Sequence, residues 1–113
     1  MKLITACLAF SAFASVALAH SQVDTTTPAD GAQVAGVPSE ITFDFADEIR
    51  LTRVEASHQD SAPAVLDLGG QKSFSRSFSF PFQGAGKGTY RIEWRGLGID
   101  GHPMQGEFQF TVE

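Results

Sequence analysis

Cysteine is almost absent from this chain. The only one is Cys7, inside the first apolar stretch, so residues 8–113 carry no thiol. That excludes a disulfide framework and a thiolate metal site for the body of the protein. Methionine is equally scarce: after Met1 there is only Met104, which excludes a soft metal site assembled from several thioethers. Basic residues are few as well. Eight Lys and Arg face thirteen Asp and Glu, a net charge of −5, which argues against nucleic acid and anionic membrane surfaces as partners. After residue 20 there is no sustained 3.6-residue apolar period, no internal repeat, no linker and no low-complexity block. No Ser/His/Asp or Cys/His set for hydrolysis is present either.

What is present begins with a leader. Lys2 supplies a positive start, Leu3 to Leu18 is nearly unbroken apolar sequence, and Ala17-Leu18-Ala19 has the small-x-small form of a cleavage site. Residues 1–19 therefore read as a secretory signal peptide, too short and wrongly flanked for a membrane span. Cleavage after Ala19 leaves one domain of residues 20–113, beginning at His20, with thirteen carboxylates against seven cations. A domain of that size without disulfides has to hold by packing alone.

Its apolar residues recur every second position. Ile41, Phe43 and Phe45, then Phe78, Phe80 and Phe82, then Tyr90, Ile92 and Trp94, then Phe108, Phe110 and Val112 alternate with mostly polar neighbours. A period of two puts each set on one face of a strand. Gly- and Pro-bearing segments, such as Pro28-Ala29-Asp30-Gly31, Gly69-Gly70 and Gly84 to Gly88, punctuate the strands. The expected fold is an all-β antiparallel sandwich of about seven short strands, its interior filled by eight phenylalanines and Trp94. Pro81, inside a strand-like run, marks an edge or bulged strand.

Three histidines follow the leader: His20, His58 and His102. Cleavage makes His20 the amino terminus, where a free amine and the imidazole Nδ1 chelate one ion in a six-membered ring; otherwise it is a solvated chain end. Asp100-Gly101-His102-Pro103 is either a plain Asp-Gly turn or a ligand pair, with Asp100 and His102 projecting the same way off extended backbone and Gly101 bending between them. Together, one amine, two imidazoles and one carboxylate suit tetragonal Cu(II), while Zn(II) could use the same ligands tetrahedrally. Convergence requires a strand at about residues 21–26 to run beside the loop at 98–103. His58, within Ser57-His58-Gln59-Asp60, reads as an exposed loop histidine.

The sequence resembles the bacterial copper-resistance protein C (CopC) family. The resemblance rests on His20 at the cleavage site, Thr27-Pro28-Ala29-Asp30-Gly31-Ala32 and Ile41-Thr42-Phe43-Asp44-Phe45. It continues in Gly88-Thr89-Tyr90-Arg91-Ile92-Glu93-Trp94-Arg95, Asp100-Gly101-His102-Pro103 and Gly106-Glu107-Phe108-Gln109-Phe110-Thr111-Val112. It is weakest between about residues 53 and 80. It implies a periplasmic, immunoglobulin-like Greek-key β-sandwich that binds copper as Cu(II) through His20, Asp100 and His102. It also implies a role as copper carrier or buffer in resistance or homeostasis, delivering to an inner-membrane partner of the CopD type. Asp47 matches an acidic position near the copper in some members; here Asp47 and its neighbour Glu48 read as solvated acids. The methionine-rich loop of members with a Cu(I) site is missing, which implies a Cu(II)-only member.

Two other functions compete. An N-terminal histidine with a second histidine also forms the copper site of oxidative polysaccharide-cleaving enzymes. Against that, Asp100 would occupy the oxygen position, and the small domain leaves little substrate face. A metal-free structural sandwich would require His20, Asp100 and His102 to lie apart.

Overall fold

The computed structural model describes residues 23–113. They form seven strands: β1 (Val23–Thr27), β2 (Ala32–Val34), β3 (Glu40–His58), β4 (Ala64–Val65), β5 (Ser75–Pro81), β6 (Gly88–Gly98) and β7 (Pro103–Val112). There is no helix among the described residues, and none long and apolar enough to cross a membrane.

β3 organises both layers of the sandwich. Its first half lies between β1 and β5, with Phe43 opposite Thr26 on one side and Phe78 on the other. Its second half, from Ile49 to His58, pairs with β6, and Glu55 and Ala56 also pair with β4. Between the halves the pairing with β5 slips from Asp44 to Ile49, and Ala46, Asp47 and Glu48 are exposed. A slipped register bends a strand and lets it pass from one sheet to the next. The second sheet continues from β6 to β7 through ten antiparallel pairs, from Gly88↔Val112 to Leu97↔Pro103.

The alternating sets meet in the interior. Ile41, Phe43 and Phe45 of β3, Phe78 and Phe80 of β5, Phe82 just beyond it, Tyr90, Ile92 and Trp94 of β6, and Phe108, Phe110 and Val112 of β7 are all buried. Rings cross between the layers edge to face, Phe43 on Phe108 with centroids 5.7 Å apart and Phe45 on Trp94 at 5.1 Å. Edge-to-face contact sets the positive rim of one ring against the negative face of the other. Pro81 pairs with Glu40 on β5, which has β3 as its one strand neighbour among the described residues. That is an edge position, where a missing N–H costs no ladder bond.

Apart from Phe74, which was expected inside with the other phenylalanines and is exposed, the sandwich departs from the sequence expectation in two places. It is mixed, because β2 runs parallel to β7, with Ala32 opposite Phe110. The Gly31 N–H donates to the Gln109 carbonyl and the Gln109 N–H donates to Asp30 Oδ1, so the turn before β2 is fastened to β7. Three residues carry too little alternation to announce such a strand. His58 is not on an exposed loop. It ends β3 half-buried, stacked on Tyr90 with centroids 4.3 Å apart, and its Nε2 is 2.7 Å from the Lys87 carbonyl oxygen. Tertiary packing of a planar ring explains it without a ligand role.

One close approach across the hairpin is a point of vulnerability. Trp94 pairs with Gly106, and a Cβ on Gly106 would come 2.8 Å from the indole Nε1. The ring is 2% exposed and has nowhere to move. Gly106→Ala is expected to lower stability by about 1–3 kcal/mol, as overpacking does. Urea unfolding followed by Trp94 fluorescence measures it, and an unchanged midpoint contradicts the packing described.

Candidate metal centre

β6 and β7 are joined by a tight loop, residues 99–102. The Gly98 N–H donates to the His102 carbonyl at 2.9 Å, and the Gly101 N–H donates to the Gly98 carbonyl at 2.9 Å. Gly101 has φ +84°, a conformation that side-chain-bearing residues rarely adopt, so glycine closes the loop at that point. Asp100 and His102 therefore project from a turn, not from the extended backbone expected of an i, i+2 pair. They still converge. Asp100 Oδ1 accepts the His102 N–H at 3.1 Å, and Oδ2 accepts from His102 Nδ1 at 2.6 Å. The Asp-Gly turn and the convergence of the two side chains are one geometry.

Both side chains are open to solvent, 63% for Asp100 and 79% for His102. The hydrogen bond to His102, followed by its backbone N–H, holds the Asp100 carboxyl below the usual carboxylate range. The hydrogen bond to Asp100, reinforced by its charge, raises the His102 imidazole above its usual value. The pair thus shares one proton between Nδ1 and Oδ2 over a wider pH span than an isolated imidazole would hold it.

The loop forms one wall of an open groove of about 560 Å³. Phe45, Asp47, Glu48 and Ile49 from the bend of β3 face it, with Arg76, Gly98, Ile99 and Met104 completing the lining. Asp47 and Glu48 thus share the groove with Asp100 and His102. Even so, no three His, Cys, Asp or Glu side chains among the described residues gather closely enough to hold an ion alone. Arg76 came without a sequence signal. Met104 did have one, since it continues the alternating core-facing column of Phe108, Phe110 and Val112 toward the loop.

The donors fit a divalent transition metal as half of a site. Neighbouring ligands at about 2.0–2.1 Å from one ion at right angles stand about 2.9 Å apart, close to the 2.6 Å between Oδ2 and Nδ1. The remaining ligands have to come from elsewhere. His20 lies outside the described residues. β1 does not run beside the loop at 98–103 but pairs with β3, where Val23 stands opposite Phe45.

Asp100→Asn removes the charge and weakens the acceptor. The His102 pKa in the metal-free protein is then expected to fall back toward about 6.5. The imidazole 1H–13C resonances followed against pH give that value, and an equal pKa in wild type and variant would show the pair is not formed in solution.

Comparison with known proteins agrees with this architecture. Protein YobA of Escherichia coli K12 is 26% identical over 102 residues, spanning 84% of this chain and 80% of the relative. A copper resistance protein C of Escherichia coli is 28% identical, spanning 86% and 84%, and that of Pseudomonas syringae pv. tomato is 26% identical, spanning 88% and 85%. The crystal structure of CopC from Methylosinus trichosporium OB3b superposes with a TM-score of 0.71 at 21% identity, over 83% of this chain and 94% of that one. The methionine-rich copper resistance protein PcoC of Escherichia coli gives 0.58 at 24% identity, over 83% and 99%. The two structural likenesses establish a shared fold. The CopC domain model matches residues 23–113, which covers both sheets and the Asp100–His102 loop, and the chain belongs to the CopC family.

Proposed function

We propose that this protein is a periplasmic copper-binding protein of copper resistance or homeostasis that takes up copper as Cu(II). Family membership supports the copper. The convergence of Asp100 and His102 on a solvent-open groove is the observation that carries the site. His20 is assigned as the third ligand residue, through its imidazole and the amine freed when residues 1–19 are removed. Chain length supports that assignment. Val23 is held opposite Phe45, which lines the groove, and three residues of extended chain reach about 10–11 Å. Three nitrogens and one oxygen suit the tetragonal preference of Cu(II), which also stands highest among the divalent ions in affinity.

The residues act by binding and releasing. Asp100 and His102 hold their donors together before the ion arrives, so little ordering entropy is lost. Exposure of the pair leaves the ion accessible to a recipient, which we assign to an inner-membrane copper-transport protein of the CopD type. No group in the groove is assigned a catalytic role.

Protons and copper compete for the same atoms. The amine and both imidazoles must be unprotonated to ligate, and the Asp100 hydrogen bond raises the His102 pKa, so protons win at a higher pH than they would against a free imidazole. Copper affinity is therefore lost as pH falls, by more than one proton's worth between about pH 7 and 5. Cu(II) titrations of the chain beginning at His20, across that range, test it; a flat profile removes the amine-plus-imidazole set. In the same assay, one glycine added before His20, or His102→Ala, is expected to weaken Cu(II) binding by orders of magnitude. Undiminished affinity in the extended chain would refute the terminal chelate.

A further inference from the structure

Met104 is unaccounted for by a site of hard and borderline donors. It continues the interior column of β7, yet it stands where that column opens into the groove of Asp100 and His102. Its sulfur marks the place. A Cβ on Gly98 would lie 3.3 Å from Met104 Sδ and 2.9 Å from Asp100 Oδ1, so thioether and carboxylate oxygen both approach this glycine, which has no side chain to part them. Gly98 is itself buried. The thioether hangs on three rotatable bonds, and Met104 is only half-buried, packed against the edge of the core.

We propose that Met104 is a soft ligand at the edge of this centre, so that the same groove that takes Cu(II) also holds Cu(I), with the Met104 thioether and the His102 imidazole replacing the carboxylate as principal donors. This rests on the copper site proposed above. The chemistry follows from ligand softness: a carboxylate favours the divalent ion, a thioether the monovalent one, and imidazole serves both. A single thioether beside an imidazole differs from the several-thioether site that the composition excludes, and it departs from the Cu(II)-only binding that the missing methionine-rich loop implied. Filling the edge of the core is the ordinary role for such a methionine, and leucine would fill that role equally well.

That equivalence supplies the experiment. Wild type and Met104→Leu, both beginning at His20, are titrated with Cu(I) under anaerobic conditions against a chromophoric Cu(I) chelator, and separately with Cu(II). Met104→Leu is expected to lose at least tenfold in Cu(I) affinity and to change less than threefold toward Cu(II). Met104 is the one methionine after Met1, so its methyl resonance is assigned without ambiguity; it should shift on Cu(I) addition, and copper–sulfur scattering should appear in X-ray absorption and vanish in the variant. Equal Cu(I) affinity in the two proteins, or an unmoved methyl resonance, overturns the assignment. Failure of Cu(II) to bind while Cu(I) binding still depends on Met104 overturns the Cu(II) site and leaves the thioether ligand standing.

Discussion

The structure depends on one strand serving two sheets. β3 carries Ile41, Phe43 and Phe45 into the interior from one layer and Ile49, Leu51 and Val54 from the other. Because the described chain has no disulfide to tie the layers, the connection is this strand and the rings packed across it. At the bend around Ala46–Glu48 the alternation breaks and three residues turn out to solvent. The bend sets one wall of the groove, and the β6–β7 loop, anchored because β6 pairs with the far half of the same strand, sets the other.

The groove differs from a buried metal cage. Asp100 and His102 keep contact with water, so their pairing contributes little to stability and a good deal to readiness. The hydrogen bond that orders them also raises the affinity of His102 for a proton, which is the competitor of any metal. Order and occupancy are thus opposed.

The other end of the sandwich shows how the same residue type settles differently. His58 has a ring over which Tyr90 lies and a carbonyl within reach of its Nε2. His102 has a carboxylate two residues away and open space beyond. Both histidines sit near strand ends and both were visible in the sequence, yet only their neighbours in space separate a ring packed on Tyr90 from one paired with a carboxylate.

Much of the fold was legible before any coordinates, because period-two alternation is a direct imprint of a strand with one wet face and one dry one. The four apolar sets and the edge position of Pro81 needed only local spacing, and the Asp100/His102 pair was visible as a pair, though its spacing suggested extended backbone where the structure has a turn. Three features were not legible in this way. The parallel pairing of β2 hangs on bonds from Asp30 and Gly31 to Gln109, far along the chain. The slip in β3 that turns it between sheets leaves no mark in composition. The arrival of Arg76 and Met104 beside Asp47 and Glu48 around one groove follows from that slip and from the pairing of β6 with β3 and β7. Sequence by itself determined which residues face inward and which two can share a proton, since both are questions of near neighbours along the chain. Only the tertiary structure decided what surrounds that pair, because the groove is walled by segments some fifty residues apart that meet through sheet pairing and ring packing.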